Sequence, residues 1–226
     1  MLCIIQARYS SKRLHGKVLK KILSITVLER VVNQVKKSKK ISKIIIATSR
    51  HITDKKIINF CNVNKINCTS GPLNNVFKRF YSVIAHEHCK SFVRISADSP
   101  LLDPSLIDKA VTLFKKNRYD IVTNVFPRTF PKGFSVEVIN SKIISDYFLK
   151  IKKKRHQEHL TSFFYDNYKK FKIKNFSNKV NYSNINLSID NLSDFIRVRN
   201  IIKFCKNKYY GLDYILSMYK RLFNEK

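Results

Sequence analysis

Arg8, Lys12, Arg13 and Lys17 fall within a ten-residue stretch directly after a short apolar run, Leu2 to Ile5. Tyr9, Ser10 and Ser11 add hydroxyls between them, and Gly16 is the only glycine of the stretch. Guanidinium and ammonium groups make the charge-assisted hydrogen bonds that phosphate oxygens accept, so the cluster reads as a polyphosphate grip. A lone loop lysine is usually solvated surface, and Lys12 fits that description best. The string has neither the GxxxxGK[ST] nor the GxGxxG spacing, so the phosphate-loop and dinucleotide mechanisms do not apply.

Two carboxylates stand apart from this cluster in sequence. Asp98 follows SFVRISA (Ser91 to Ala97), a strand-like run, and is flanked by Ser96, Ser99 and Pro100. Asp190 ends a second extended segment that begins near Asn186. A hard divalent cation takes one or two carboxylates and fills its shell with water and substrate phosphates. Each acid also has a plain alternative. Asp98 can cap a turn before Pro100, and Asp190 or Asp194 can cap the helix that follows.

These groups need elements to bring them together. Leu2 to Ile5, Ile41 to Ser49 and Ser91 to Ala97 read as buried strands. YDIVTNV and FSVEVIN read as two more, joined by a proline-containing loop, and a further strand is expected over Asn186 to Asp190. Helices alternate with the early strands. Val27, Leu28, Val31, Val32 and Val35 recur at helical spacing behind a Thr26/Glu29 capping signature. Asn74 or Asn75 caps a helix with Val76, Phe77, Phe80, Tyr81 and Ile84 on one face. Asp103-Pro104 opens another, with Leu106, Ile107, Ala110, Val111 and Phe114 inward. Helical segments are expected at about 141 to 151 and 156 to 168, and two more close the chain. The alternation predicts a single-domain α/β fold, three-layered and Rossmann-like, with a mostly parallel sheet. In such sheets ligands dock beyond the carboxyl ends of the strands, where Arg8, Asp98 and Asp190 would all lie.

Bulk properties narrow the class. The chain has 226 residues, long enough for one sizeable core, and 44% are hydrophobic. Its five cysteines are scattered and form no CxxC pair, which excludes a disulfide framework and a structural zinc site. No apolar run approaches the length of a membrane span, and no charged-then-apolar leader precedes Leu2, so a cytoplasmic protein without membrane insertion is expected. The formal charge of +30 would attract any polyanion. The lysines are spread evenly, however, and the aromatics sit at core periodicity. Specific nucleic-acid binding therefore rests on charge alone and is not expected.

The string IIQARYSSKRLHGKVLKKI (Ile4 to Ile22) resembles the opening signature of cytidylyltransferases of the CMP-ulosonate (CMP-KDO) synthetase and SpsF-like spore-coat polysaccharide type. The resemblance recurs at Ala47 to Ser49, SGPLNNVFKR (Ser70 to Arg79), RISADSPLLDP (Arg94 to Pro104), FPKGFSVEV (Phe130 to Val138), EHLT (Glu158 to Thr161) and SIDNLSDFIRV (Ser188 to Val198). It implies a nucleotide-diphospho-sugar transferase fold, GT-A-like, and transfer of CMP from CTP to a small acidic sugar with release of pyrophosphate. It further implies Mg²⁺ held by Asp98 and Asp190, and catalytic roles for Lys17, Arg8 and Asp98. Nucleotide contacts are implied for Gln6, Ala7, Arg8, Ser10, Arg13, Lys17, Thr48, Ser49, Gly71, Asn75, Arg79, Ala97 and Asp98. Acceptor contacts are implied for Glu137, Glu158 and His159. A homodimer is implied too, with an insertion at about 125 to 180 as its dimerisation segment. Asn74 and Asn75 stand where this family usually carries acidic residues, which leaves the base preference open. The rival readings are a related nucleotide-sugar enzyme, either a nucleotidyltransferase of other selectivity or a GT-A glycosyltransferase, for which ADSPLLD is a poor DxD motif. A basic nucleic-acid-binding protein is the more distant rival.

Overall fold

The computed structural model describes residues 1–205 and 211–223. Its first strand is β1 (Leu2–Gln6), whose residues alternate between two cores. Cys3 and Ile5 face one side of the sheet, and Leu2 and Ile4 face the other. A strand covered on both faces must be apolar at every position, and that is why LCII contains no polar residue.

Three parallel neighbours follow in the first half of the chain, each preceded by a helix. The helices are α1 (Val27–Lys36), α2 (Lys55–Val63) and α3 (Val76–Glu87), and the strands are β4 (Lys43–Ser49), β5 (Asn67–Gly71) and β6 (Ser91–Ser96). A two-stranded ribbon, β2 (Lys21–Ile22) with β3 (Ile25–Thr26), leads into α1. After α4 (Pro104–Lys116) come β7 (Ile121–Thr123), β8 (Glu137–Asn140) and β9 (Ile173–Asn175). Together they form a seven-stranded sheet in the order β5-β4-β1-β6-β8-β7-β9. All strands but β8 run one way, since β8 pairs antiparallel with both β6 and β7. The α/β reading holds, with one reversed strand inside the sheet.

Helices cover both faces. On one side α1, α2, α4, α8 (Leu192–Phe204) and α9 (Leu212–Phe223) pack around Ile5, Ile46, Val93 and Val138. On the other, α3, α5 (Ser141–Tyr147), α6 (Lys154–Glu158) and α7 (Ser162–Asp166) pack around Ile4, Phe92 and Ile139. The caps are those expected: Thr26 accepts from Glu29 N, Asn75 from Lys78 N, and Asp103 from Ser105 N.

The expectations for residues 186–190, 141–151 and 156–168 need correction. Residues 186–190 form no strand; the segment is extended but makes a single bridge, Asn186 to Lys132, because two loops rather than a strand flank it. Leu187 N bonds Lys132 O and Ile189 N bonds Asp98 O. The helix expected over 141–151 stops at Tyr147, and the one expected over 156–168 is split into α6 and α7 by an extended residue, His159. The 125–180 segment is woven into the sheet as β8 and β9, and its Phe130, Phe134, Phe164 and Phe176 are buried within the chain's own cores. Gly133 sits at φ +101, and a Cβ there would meet the Leu187 backbone at 2.7 Å, so this turn and the segment before Asp190 require each other's close approach.

Candidate active site

Lys17 is the hub. It is only 7% exposed, and its ammonium donates to Asp98 Oδ2 at 2.8 Å, Asp190 Oδ1 at 3.0 Å and the Ile189 carbonyl at 2.6 Å. An ammonium has three protons, and all three are used, so burial leaves no unmet donor. Two carboxylates separated by 92 positions in the chain thereby converge on one point. Neither serves the capping role open to it. The helix cap after Asp190 is Asn191, in a reciprocal capping box with Asp194, whose Oδ2 also accepts from Asp190 N and Asn191 N. Among the described residues the Asp98 carboxylate has, apart from Lys17, one long contact, accepting from the Ser99 hydroxyl at 3.4 Å.

The loop that carries the cations is folded back on itself. Tyr9 O accepts from Ser11 N and Gly16 N, and Tyr9 N donates to Asp54 Oδ1 at 2.8 Å. Gly16 lies at φ +66, where a Cβ would strike the Tyr9 ring at 2.7 Å. The turn thus requires glycine twice over, by conformation and by contact. It aims Lys17 inward and leaves Arg8 and Arg13 at the mouth, where Arg8 lies 3.7 Å from Glu158 and Arg13 3.2 Å from Asp190.

One pocket at the carboxyl ends of β1 and β6 gathers most of the expected set. Gln6, Arg8, Lys17, Ala97, Asp98 and Asp190 line it, with Glu158 and His159 at its rim. Val18, Val76 and Ser96 complete the wall and were not anticipated. Other expected contacts lie outside that lining. Ala7 is buried beside the strand end, while the Thr48 and Ser49 hydroxyls both donate to Asp54 Oδ2, at 3.0 and 2.5 Å. Ser10 lies in the cation loop, and Asn75 caps α3. Glu137, expected at the acceptor, is 3% exposed and holds Arg94 and the Tyr165 hydroxyl.

Asp54 was missed. It is fully buried and ties the cation loop to the end of β4 through four donors. The available signal was a carboxylate placed just after a strand end rich in hydroxyls, Thr48 and Ser49. Arg79 is 2% exposed, and its Nε and Nη1 have no hydrogen-bond partner; Nη2 makes only a 3.5 Å contact to Leu73 O. Burial pulls its guanidinium down to about 10, Asp54 opposes that, and Arg8 adds to it. Gly71 leaves room for it, since a Cβ there would lie 2.6 Å from Arg79 Cγ.

The family model described as Cytidylyltransferase matches residues 2–215. The chain belongs to the cytidylyltransferase family. It is 35% identical over 194 residues to an uncharacterised protein of Methanocaldococcus jannaschii, covering 85% of this chain and 79% of that one. It is 30% identical over 168 residues to the spore coat polysaccharide biosynthesis protein SpsF of Bacillus subtilis, covering 71% and 68%. A solved cytidylyltransferase from Leptospira borgpetersenii superposes with a TM-score of 0.92 at 25% identity, over 97% of this chain and 94% of that one. The chain is thus a CTP-dependent nucleotidyltransferase by family, and the Rossmann-like expectation stands. No helix among the described residues is long and apolar enough to cross a membrane.

Proposed function

We propose that this cytidylyltransferase transfers CMP from CTP to an acidic sugar of the ulosonate or nonulosonate class, releasing pyrophosphate, for surface polysaccharide synthesis. The observation that carries the reading is the convergence of Asp98 and Asp190 on the Lys17 ammonium, inside a pocket rimmed by Arg8, Glu158 and His159. An acceptor oxygen attacks the α-phosphorus in line, and the bond to the bridging oxygen of pyrophosphate breaks. Arg8 and Arg13, exposed at the mouth, hold the distal phosphates, and buried Lys17 supplies fixed positive charge where charge develops. His159 suits an acceptor carboxylate. The names of relatives support that choice, among them 3-deoxy-manno-octulosonate cytidylyltransferases, one from Rickettsia canadensis being 32% identical over 124 residues.

The carboxylate pair fits a hard divalent cation. Its donors are all oxygen; the Lys17 ammonium holds Asp98 Oδ2 and Asp190 Oδ1, so the cation would be met by their other oxygens, Asp98 Oδ1 and Asp190 Oδ2, and among the described residues no group of three or more acids, histidines or cysteines forms a protein-only cage. Asp98 and Asp190 would hold Mg²⁺. When bound, that ion would neutralise charge on the phosphates and favour pyrophosphate as leaving group. We read the enzyme as a cytoplasmic homodimer, for which exposed Leu149, Tyr168 and Val180 offer apolar surface; light scattering at micromolar concentration decides the dimer.

Pyrophosphate release tests the reading, with CTP, UTP, GTP and ATP each offered against 3-deoxy-manno-octulosonate, a nonulosonic acid and neutral sugars. CTP with an acid should be the productive pair. Asp98→Asn and Asp190→Asn should each lower turnover by about a hundredfold or more with little change in melting temperature. No turnover with any pair, or either variant at wild-type rate in excess Mg²⁺, removes it.

A further inference from the structure

A chain of half-buried polar contacts leaves the pocket through Gln6 and crosses the sheet. Arg94 on β6 donates from Nη2 to Gln6 Oε1 at 3.2 Å and from Nη1 to Glu137 Oε2 on β8. Glu137 Oε1 accepts in turn from the hydroxyl of Tyr165 on α7, which also reaches Thr123 Oγ1 on β7 at 3.2 Å. Four strands and one helix of the fold are joined by this one string of side chains. The Glu137 side chain is only 4% exposed, so a pair of this kind persists only if both partners are matched.

The direction of every bond in the string is determined by chemistry. A guanidinium only donates, so the atom of Gln6 that meets Arg94 is its oxygen. The amide's orientation is therefore settled, and its nitrogen, with two protons, is the edge left for the pocket that Gln6 lines. Nε2 makes no hydrogen bond to any described residue. At the far end, burial and the neighbouring carboxylate push the Tyr165 phenol well up, so it stays a donor throughout the working pH range. Glu137, held between a phenol and a guanidinium, has both oxygens engaged inside the protein and none turned to a substrate.

We infer that Gln6 is the residue that reads the acceptor sugar, donating from Nε2 to one of its hydroxyl or carboxylate oxygens, and that Arg94, Glu137 and Tyr165 are positioning residues that aim it. The inference rests on the cytidylyltransferase reading of the pocket and reassigns Gln6 from the nucleotide to the acceptor. The string is anchored in β8 and α7, the half of the molecule that also delivers Glu158 and His159 to the rim. None of its bonds reaches the cation loop, Asp54 or the β4-β5 edge. An acceptor without an oxygen at that place would leave two aimed donors desolvated and unmet, which is how a pocket rejects a near-isostere.

Steady-state kinetics of Gln6→Glu, Tyr165→Phe and Glu137→Gln test this, using CTP and 3-deoxy-manno-octulosonate, or a nonulosonic acid if the wild type prefers it. Gln6→Glu still accepts from Arg94 but offers the pocket no donor, so KM for the acid should rise about tenfold or more. KM for CTP and the CTP-induced rise in melting temperature should stay within about twofold and about a degree of wild type. Tyr165→Phe keeps Gln6 intact but loosens its aim, and should raise the acid's KM by a few fold, again without touching CTP. Glu137→Gln leaves Arg94 short of its counter-charge, so it is read only if CTP still shifts its melt; Tyr165→Phe carries the test otherwise. A rise in KM for CTP that equals or exceeds that for the acid overturns the inference, as does an unchanged acceptor KM in Gln6→Glu. A wild type that turns over CTP with no acid overturns the functional reading itself, which is a different result from variants that merely fail to differ.

Discussion

Lys17 and Arg79 are both buried cations, and their surroundings give them opposite energetics. Lys17 meets three acceptors, two of them charged, so removal from water is offset at every proton. Arg79 keeps two nitrogens, Nε and Nη1, without a partner among the described residues and a third, Nη2, at 3.5 Å from Leu73 O, with Asp54 near enough to help and Arg8 near enough to hinder. A buried charge so poorly met costs stability, and replacing one by an apolar side chain of similar volume is commonly neutral or favourable. Arg79→Met should therefore raise the melting temperature of the ligand-free enzyme by a few degrees, about 1–2 kcal/mol, while weakening CTP binding. The sign with pH follows from the lowered guanidinium. Its native form binds fewer protons than the unfolded one as pH rises above about 10, so the cost is present below that and fades above it. The variant's advantage should be full at neutral pH and shrink above pH 10. A lower melting temperature in Arg79→Met, measured by calorimetry, would show instead that the guanidinium braces the loop from Gly71 to Asn75.

At the scale of elements, the decisive device is the start of α8. Asp194 accepts from Asp190 N and Asn191 N, bonds Asn186 Nδ2 at 3.0 Å and pairs with Arg197 at 2.8 Å. A reciprocal capping box of this kind satisfies the orphan donors of the first turn. It also frees the Asp190 side chain, which would otherwise be drawn into capping, to face Lys17. Asp194→Ala should cost about 1–2 kcal/mol, because it removes the reciprocal half of the capping box and the bonds to Asn186 and Arg197 while the Asn191 cap remains. Activity should fall further than that loss of stability accounts for, because the backbone of Asp190 loses its anchor. Chemical denaturation and turnover on the same preparation separate the two effects. Equal activity in Asp194→Ala would mean that Lys17 and Arg13 alone hold Asp190.

For the whole molecule, the +30 charge is the dominant surface property, and it bears on what binds without saying why. Forty-five basic side chains against fifteen acidic ones guarantee some affinity for RNA or DNA at low ionic strength, through counterion release. That affinity should be independent of sequence and lost by moderate salt. The rise in melting temperature caused by CTP with Mg²⁺ should survive the same salt, because its contacts are fixed, convergent and partly buried. Thermal shift and filter binding across one salt series measure both. Tight binding of one RNA at physiological salt, with no thermal response to any nucleoside triphosphate, would reverse the assignment.

Local pattern was enough for the strands beginning at Leu2 and Ser91, for the caps at Thr26, Asn75 and Asp103, and for the cation loop. An apolar run such as LCII can only be a strand buried on both sides, and Asp103-Pro104 can only begin a helix where it does. The motif strings also named Lys17, Asp98 and Asp190, through their resemblance to the family, although the segment before Asp190 is no strand. What needed the folded molecule were the relations between distant positions. That one ammonium joins Asp98 to Asp190 depends on residues 186–190 lying along Asp98 without pairing as a strand. That Glu137 faces Arg94 and Tyr165 depends on the reversed strand β8, whose direction no local period encodes. Asp54 and Gln6 share that character: their partners lie 45 and 88 residues away, and only packing chooses which distant donor a buried acceptor meets.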